Sequence, residues 1–241
     1  MTDILCYNDS YLQDFEAIVT DVVGTGIVLD KTVFYPGGGG QPCDTGTIKW
    51  DGGSTEVSKV SRVDGKLVHK VEDSMPDVGE SITGVIDWDK RYQLMRTHTA
   101  LHILCGVVWR DYAAQVTGGN MTPLQARMDF ELSEMSSGFA SEIENLVNQE
   151  VQAERDIKVF NLSREEAFKI PDLIRMKINK LPDSISEVRI VDISGLDLQA
   201  DGGTHVHNTR EVGNIRVIGH ESKGRINKRL RIAVELSLIH I

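Results

Sequence analysis

The sequence predicts an α+β protein, with a small N-terminal β-barrel followed by a mixed domain of helices and strands. Three observations lead there. Short β-branched runs separated by glycine occupy residues 1–89. The hydrophobic period becomes helical just after Asp87-Trp88-Asp89. Beyond that point, helical and extended segments follow one another without regular β-α-β alternation, the mark of an α+β rather than an α/β arrangement.

In chain order, residues 17–23 and 26–29 read as strands rich in Val and Ile, and 45–53 as a strand running into a Gly-Gly turn. Residues 66–71 and 81–88 read as two more, and many short strands with glycine turns close most readily into a barrel. From Arg91 onward Leu94, Leu101, Leu104, Cys105 and Val108 fall on one helical stripe, interleaved with His98 and His102. A strand is expected near 124–130. A long amphipathic helix is expected over 136–155, with Phe139, Ile143, Leu146, Val147 and Val151 on one side. Ser163 with Glu166 three residues on is a capping box, so a helix should start there. Residues 188–193, 214–218 and the stretch after Asn227 read as strands. The expected division is therefore 1–89 and 90–235.

The last six residues, 236–241, break the alternation of 230–235 and match the translation of a transposon end used as a sequencing adapter. They are expected to be a non-native tail, with the natural end lost or near Glu235, and His240 is set aside from any site.

Composition narrows the classes. No apolar run approaches the ~18 residues that span a bilayer. The N-terminus lacks a basic region followed by an apolar one, so export is not expected. Cys6, Cys43 and Cys105 are scattered and odd in number, which suits a reducing cytoplasm rather than a disulfide framework. A net charge of −10 argues against general affinity for nucleic acid, since phosphate binding needs Lys and Arg. It leaves room for a local patch at Lys223, Arg225, Lys228, Arg229 and Arg231, although taken alone this stretch reads better as a solvated strand edge.

Two short segments carry the chemistry. In Arg96-Thr97-His98-Thr99-Ala100-Leu101-His102 the histidines are four apart, so a helix aims both imidazoles at one point. In Asp201-Gly202-Gly203-Thr204-His205 an acid and a histidine flank two glycines that permit a tight turn. A zinc peptidase needs Glu directly after the first histidine as general base, and Thr99 cannot act as one. Three histidines and one exchangeable position would suit a catalytic zinc, where bound water reaches a pKa near ~7. Spacing alone leaves this open against an ordinary turn beside buried, hydrogen-bonded histidines. His207 shares a strand face with His205 and could be a ligand, but reads more readily as a surface residue. Four glycines, Gly37 to Gly40, lie between Tyr35-Pro36 and Gln41-Pro42. Their N–H groups could cradle a phosphate or ribose, the alternative being a flexible hairpin. No Lys-Ser/Thr follows, so this is not a Walker loop.

Taken in order, the segment 29–36, the glycine loop with Gln41-Pro42-Cys43-Asp44-Thr45-Gly46, the segment 96–102 and Gly202-Gly203-Thr204-His205-Val206 resemble the editing half of alanyl-tRNA synthetase and its free-standing relatives, the AlaX proteins. The resemblance runs from about residue 15 to residue 235. No class II aminoacylation domain is recognisable and the length leaves no room for one, so the chain is similar to a trans-acting AlaX of the medium type. The resemblance implies an α/β two-layer editing domain of the threonyl/alanyl-tRNA synthetase type after the barrel. It implies ATP-independent hydrolysis of mischarged tRNA for alanine, chiefly the seryl and also the glycyl ester, at its acceptor end in the cytoplasm. It also implies a Zn2+ ion on His98, His102 and His205. The family's cysteine ligand falls on Asp201. That carboxylate could bind the ion, act as general base just beside it, or weaken the site. The four residues are the catalytic and metal-binding candidates. Thr117 falls where the family senses the serine hydroxyl, and Gln41, Gly38, Gly39 and Gly40 are the other candidates for lining the substrate pocket. Two rivals stand: an editing module for another ester, such as a threonyl type, and a non-catalytic tRNA-binding module with a degenerate metal site.

Overall fold

A computed structural model describes residues 2–132, 136, 138–175 and 185–235. The proposed tail at 236–241 and part of the expected helix start at 136 lie outside these. The chain divides into two compact units, Met1–Gln93 and Leu94–Ile241. The α+β expectation, a small barrel and then a mixed domain, is met.

The first unit contains β1 (Asp3–Ile4), β2 (Asp14–Val23), β3 (Gly26–Leu29), β4 (Lys31–Thr32), β5 (Gly46–Trp50), β6 (Gly53–Val63), β7 (Lys66–Val71) and β8 (Ser81–Ile86). Strands β2-β3-β7-β6-β5-β8 close into a barrel, while β1 and β4 form a short parallel pair. The strand period sets the inside. Along β2, Phe15, Ala17 and Val19 point inward and Glu16, Ile18 and Thr20 outward. Ile27, Leu29, Phe34, Ile48, Val57, Val60 and Ile82 are among the other residues of this core.

A buried ion pair ties the loop after β4 to the N-terminal turn of helix α1 (Trp88–Tyr112). Arg91 is fully buried and Asp44 is 1% exposed. Arg91 Nε donates to both Asp44 oxygens at 3.0 Å, and its Nη2 also reaches Asp44 Oδ2. Two further guanidinium protons go to Ser10 O at 3.0 Å and Val33 O at 2.7 Å. Asp44 also accepts the Tyr35 N–H at 2.6 Å.

The second unit holds the rest of α1, then β9 (Val116–Thr122), β10 (Gln125–Glu131), α2 (Phe139–Gln152), β11 (Ile157–Ser163), α3 (Arg164–Ala167), β12 (Glu187–Ile193), β13 (Asp197–Ala200), β14 (Asn214–Ser222) and β15 (Asn227–Glu235). Two antiparallel sheets form, in orders β14-β15-β10-β9 and β11-β12-β13. Helix α2 buries Phe139, Ile143, Val147 and Val151 and lies against β14. It also covers that strand's open edge. Asn148 donates to Ile215 O and accepts from Ile215 N, both within 2.9 Å, and Glu144 accepts the Val217 N–H at 2.7 Å. The Ser163–Glu166 capping box forms as expected, although α3 is a single turn.

One expectation changes. The stripe read on α1 is not a stripe, because every residue from Leu94 to Val108 is buried. A helix enclosed on all sides must satisfy its polar residues internally, which Arg96 and Thr97 do. Arg96 donates to Val212 O at 2.7 and 2.9 Å, and Thr97 Oγ1 accepts the Leu124 N–H at 2.9 Å.

Candidate metal centre

His98 and His102 project from the buried stretch of α1, and the turn after β13 brings Asp201 and His205 to them. One ligand atom from each of these four residues lies within 4.8 Å of the others. The imidazole rings are packed together, with centroid separations of 4.4 Å (His98–His205), 4.7 Å (His102–His205) and 5.2 Å (His98–His102). His205 Nε2 is 3.1 Å from Asp201 Oδ2, and His98 Nε2 is 3.7 Å from Asp201 Oδ1.

The turn is made differently from the way its glycines suggest. Neither Gly202 nor Gly203 has a positive φ. Instead Asp201 Oδ2 accepts the Gly203 N–H at 2.7 Å, so the aspartate closes its own turn. One backbone and one side-chain bond fix the start of the turn on β12: Asp201 N–H donates to Arg189 O at 3.1 Å and Arg189 Nη1 donates to Asp201 O at 3.0 Å.

The outer nitrogens of two rings are gripped. His102 Nδ1 meets Asp197 Oδ2 at 2.9 Å, and His205 Nδ1 meets Thr99 Oγ1 at 3.1 Å. Both rings therefore turn Nε2 toward the cluster. Asp197 reaches His102 because Gly106 stands one turn further along α1. A Cβ there would lie 2.8 Å from Leu196 Cγ and 3.1 Å from Leu196 O. The absent side chain lets the residue before Asp197 pack on the helix.

Electrostatics favour neutral rings at two positions. Burial, with the neighbouring His102 and Arg189, pushes His98 down to about 4, against the opposing pull of Asp201. Burial likewise holds His205 well below the ordinary histidine value. Burial also acts on His102, but the bond and charge of Asp197 outweigh it and the shift is upward. Against its own burial, Asp201 is held well below the usual carboxylate range by His98 and His205. A neutral imidazole is a ligand and an imidazolium is not, so the cluster could hold a metal ion.

The remaining candidates fall elsewhere. His207 is exposed and outside the cluster. Thr117 is exposed on β9, and its hydroxyl donates to Asn227 Oδ1 at 3.0 Å. Gly38, Gly39, Gly40 and Gln41 belong to the first unit. Gly37 to Gly40 have φ of 83°, 143°, 59° and 93°, a run that strongly favours glycine at each position. The loop is a defined turn rather than slack: Gly38 and Gln41 exchange backbone bonds at 2.9 and 3.0 Å, and Tyr35 OH donates to Gly38 O at 3.2 Å. Gln41 is buried.

The basic stretch is partly neutralised by two carboxylates. Arg229 pairs with Asp129 at 2.6 and 2.8 Å, Arg231 with Glu221 at 2.5 Å, and Lys223 with Glu221 at 3.2 Å. Lys228 is buried, donating to Ser222 Oγ and to the Gly224 and Arg225 carbonyls of its own turn. Sequence reasoning did not find Asp197, Thr99, Arg175 or Arg189. The one available signal was an aspartate four residues ahead of Asp201.

Residues 6–90 match the family described as tRNA synthetases class II (A), and 188–231 match the threonyl and alanyl tRNA synthetase second additional domain. The class II match falls on the barrel, where the sequence alone showed no aminoacylation domain. Barrel, additional domain and buried histidine–aspartate cluster together define the class: an enzyme of the editing kind found with these synthetases.

The relatives narrow it further. The chain is 40% identical to the alanyl-tRNA editing protein AlaX-M of Saccharolobus solfataricus, over 98% of this chain and 100% of that one. It is 36% identical to the AlaX-M of Methanosarcina barkeri, over 95% and 98%. It is also 37% identical to the alanine–tRNA ligase of Thermofilum pendens, over 91% of this chain but 24% of the ligase. The chain belongs to the AlaX-M family of alanyl-tRNA editing proteins.

Proposed function

We propose that this protein is a trans-acting deacylase that hydrolyses seryl-tRNA for alanine, with the glycyl ester as second substrate, using a zinc ion on His98, His102, Asp201 and His205. The carrying observation is the convergence of three buried imidazoles and one carboxylate on one point. The donors suit zinc, which takes imidazole nitrogen and carboxylate oxygen at similar distances. When bound, the ion supplies Lewis acidity to water, to the ester carbonyl or to the substrate's amino group.

The chain's own groups do the rest. The three rings offer Nε2 from a rigid helix and a closed turn. Asp201 keeps Oδ2 on the Gly203 N–H, leaving Oδ1 either to ligate or to take a proton from the attacking water. Serine is told from alanine by a group that bonds the extra hydroxyl, since alanine would leave that group unpaired. Thr117 and Gln41 are proposed for this, with Gly38, Gly39 and Gly40 lining the terminal nucleotide. The acceptor end of tRNA is the proposed partner. The activity needs no ATP and is assigned to the cytoplasm. Among the described residues no helix is long and apolar enough to cross a membrane.

A second reading has one contact in its favour. His205 and Asp201, at 3.1 Å, can satisfy each other, as a non-catalytic tRNA-binding module would require. Metal analysis combined with deacylation of seryl-, glycyl-, threonyl- and alanyl-tRNA separates the readings. The proposal expects one bound zinc per chain, hydrolysis of the seryl ester, sparing of the alanyl ester and loss of activity in a folded His98→Ala variant. Zinc uptake with no ester hydrolysis would favour the binding module, and preference for the threonyl ester would move the substrate class.

A further inference from the structure

We propose that Asp197 is a positioning residue for the metal centre, dictating which nitrogen His102 presents to the ion. This rests on the zinc reading of the cluster.

Asp197 opens β13, is 2% exposed, and is held from three sides. Its Oδ2 accepts from His102 Nδ1 at 2.9 Å and from Gln199 Nε2 at 2.7 Å, and its Oδ1 accepts from Arg175 Nη1. An ionised carboxylate has lone pairs and no proton to give. The nitrogen facing it must therefore carry the hydrogen, and the lone pair of His102 is left on Nε2, toward His98, Asp201 and His205.

His205 is held less selectively. Its Nδ1 faces the Thr99 hydroxyl at 3.1 Å, and a hydroxyl can donate or accept. Thr99 thus tolerates either tautomer of His205, whereas Asp197 permits one tautomer of His102. Arg175 and Gln199 keep the carboxylate from rotating away. A purely structural ion pair between Arg175 and β13 would need a single oxygen. It gives no reason for the other to lie on a ligand histidine.

Asp197→Asn separates the two roles. It keeps the volume, but its amide must direct an NH2 group at Arg175 or at His102 and Gln199, setting donor against donor. With the fold intact by circular dichroism, zinc affinity from chelator competition should fall by about 10–100-fold, as for other groups that orient metal ligands. The visible spectrum of the Co2+-substituted chain should change as well. Affinity within twofold of the parent in a folded variant would overturn the proposal. Should the variant not fold, nitrogen-15 NMR of the zinc-loaded parent decides: a proton on His102 Nδ1 is expected, and one on Nε2 overturns the proposal. A parent chain that takes up no zinc defeats the reading beneath it. A parent that binds zinc while Asp197→Asn binds it equally well defeats this proposal alone.

Discussion

Replacing Asp44 with alanine should cost more stability than almost any other single change in the first unit. The side chain is buried, and it carries both the charge opposite Arg91 and the acceptor for the Tyr35 N–H. Without it, Arg91 keeps the Ser10 and Val33 carbonyls, but Nε and one proton of Nη2 lose their acceptor. Stranding one member of a buried ion pair costs about 3–5 kcal/mol. Orphaning a buried N–H costs about 1–3 kcal/mol, and the two overlap because the pocket relaxes once. The expected loss is about 4–6 kcal/mol against a total of about 5–15 kcal/mol for a typical domain. Urea unfolding followed by the fluorescence of Trp50 and Trp88 in that unit reads it directly. Asp44→Ala with Arg91→Met should recover part of the loss, since the stranded charge is then gone. A midpoint shift worth less than about 1 kcal/mol at unchanged slope would refute the reasoning, showing that water or a shifted carbonyl meets the guanidinium at little cost.

Three further outcomes are expected. His69 is buried and pushed down to about 4 by burial, with Nδ1–H donating to Ile27 O at 3.3 Å and Nε2 accepting from the Thr32 hydroxyl at 2.9 Å. The neutral ring's contribution is complete above pH 6.5 and is lost as pH falls toward 4, about 3 kcal/mol in all. The stability difference between the parent and His69→Leu should shift against the parent by about that amount over this range, and a pH-independent difference would sink the assignment. Gly106→Ala should lose about 1 kcal/mol, overpacking against Leu196 being partly offset by helix propensity. It should also weaken zinc binding by moving Asp197, and unaltered affinity would show that Leu196 yields alone. Asp201→Cys tests whether position 201 ligates: a thiolate charge-transfer band in the Co2+-substituted variant says that it does. Retained affinity with lost deacylation and no such band would make Asp201 the general base instead.

Much of this was legible because it is local. A spacing of four on a helix aims two histidines at one point whatever surrounds them, so His98 and His102 could be paired from the chain alone. Strands β3 and β7 announce themselves through β-branched runs. Strand β6 does not, because a bulge between Val57 and Lys59 breaks its alternation and leaves Ser58 and Lys59 exposed side by side. Strand β9 carries Gly118-Gly119, which reads as a turn until its pairing with β10 is known. The enclosure of α1 is a tertiary fact: its polar residues look like an exposed face until Arg96 and Thr97 are seen to bond with backbone from Val212 and Leu124. Asp197 was invisible for the same reason, since its role comes from Gly106 and the chain reversal before β13. Asp201 was legible from its spacing of four from His205, and the resemblance added that a cysteine stands there in the family.

The ion pairs along β15 have a thermodynamic consequence for association with a polyanion. Binding that displaces condensed counterions weakens with ionic strength by a log–log slope of about 0.7–0.9 per phosphate neutralised. Arg229, Arg231 and Lys223 share the two carboxylates of Asp129 and Glu221, and Lys228 is spent on its own turn, in a chain of net charge −10. These cations therefore have less charge to exchange for released salt ions than four free ones would. For a tRNA ligand, contacts along this strand should add a salt slope well below that of four free cations, so discrimination would rest more on short-range contacts at the reacting end than on long-range attraction along β15.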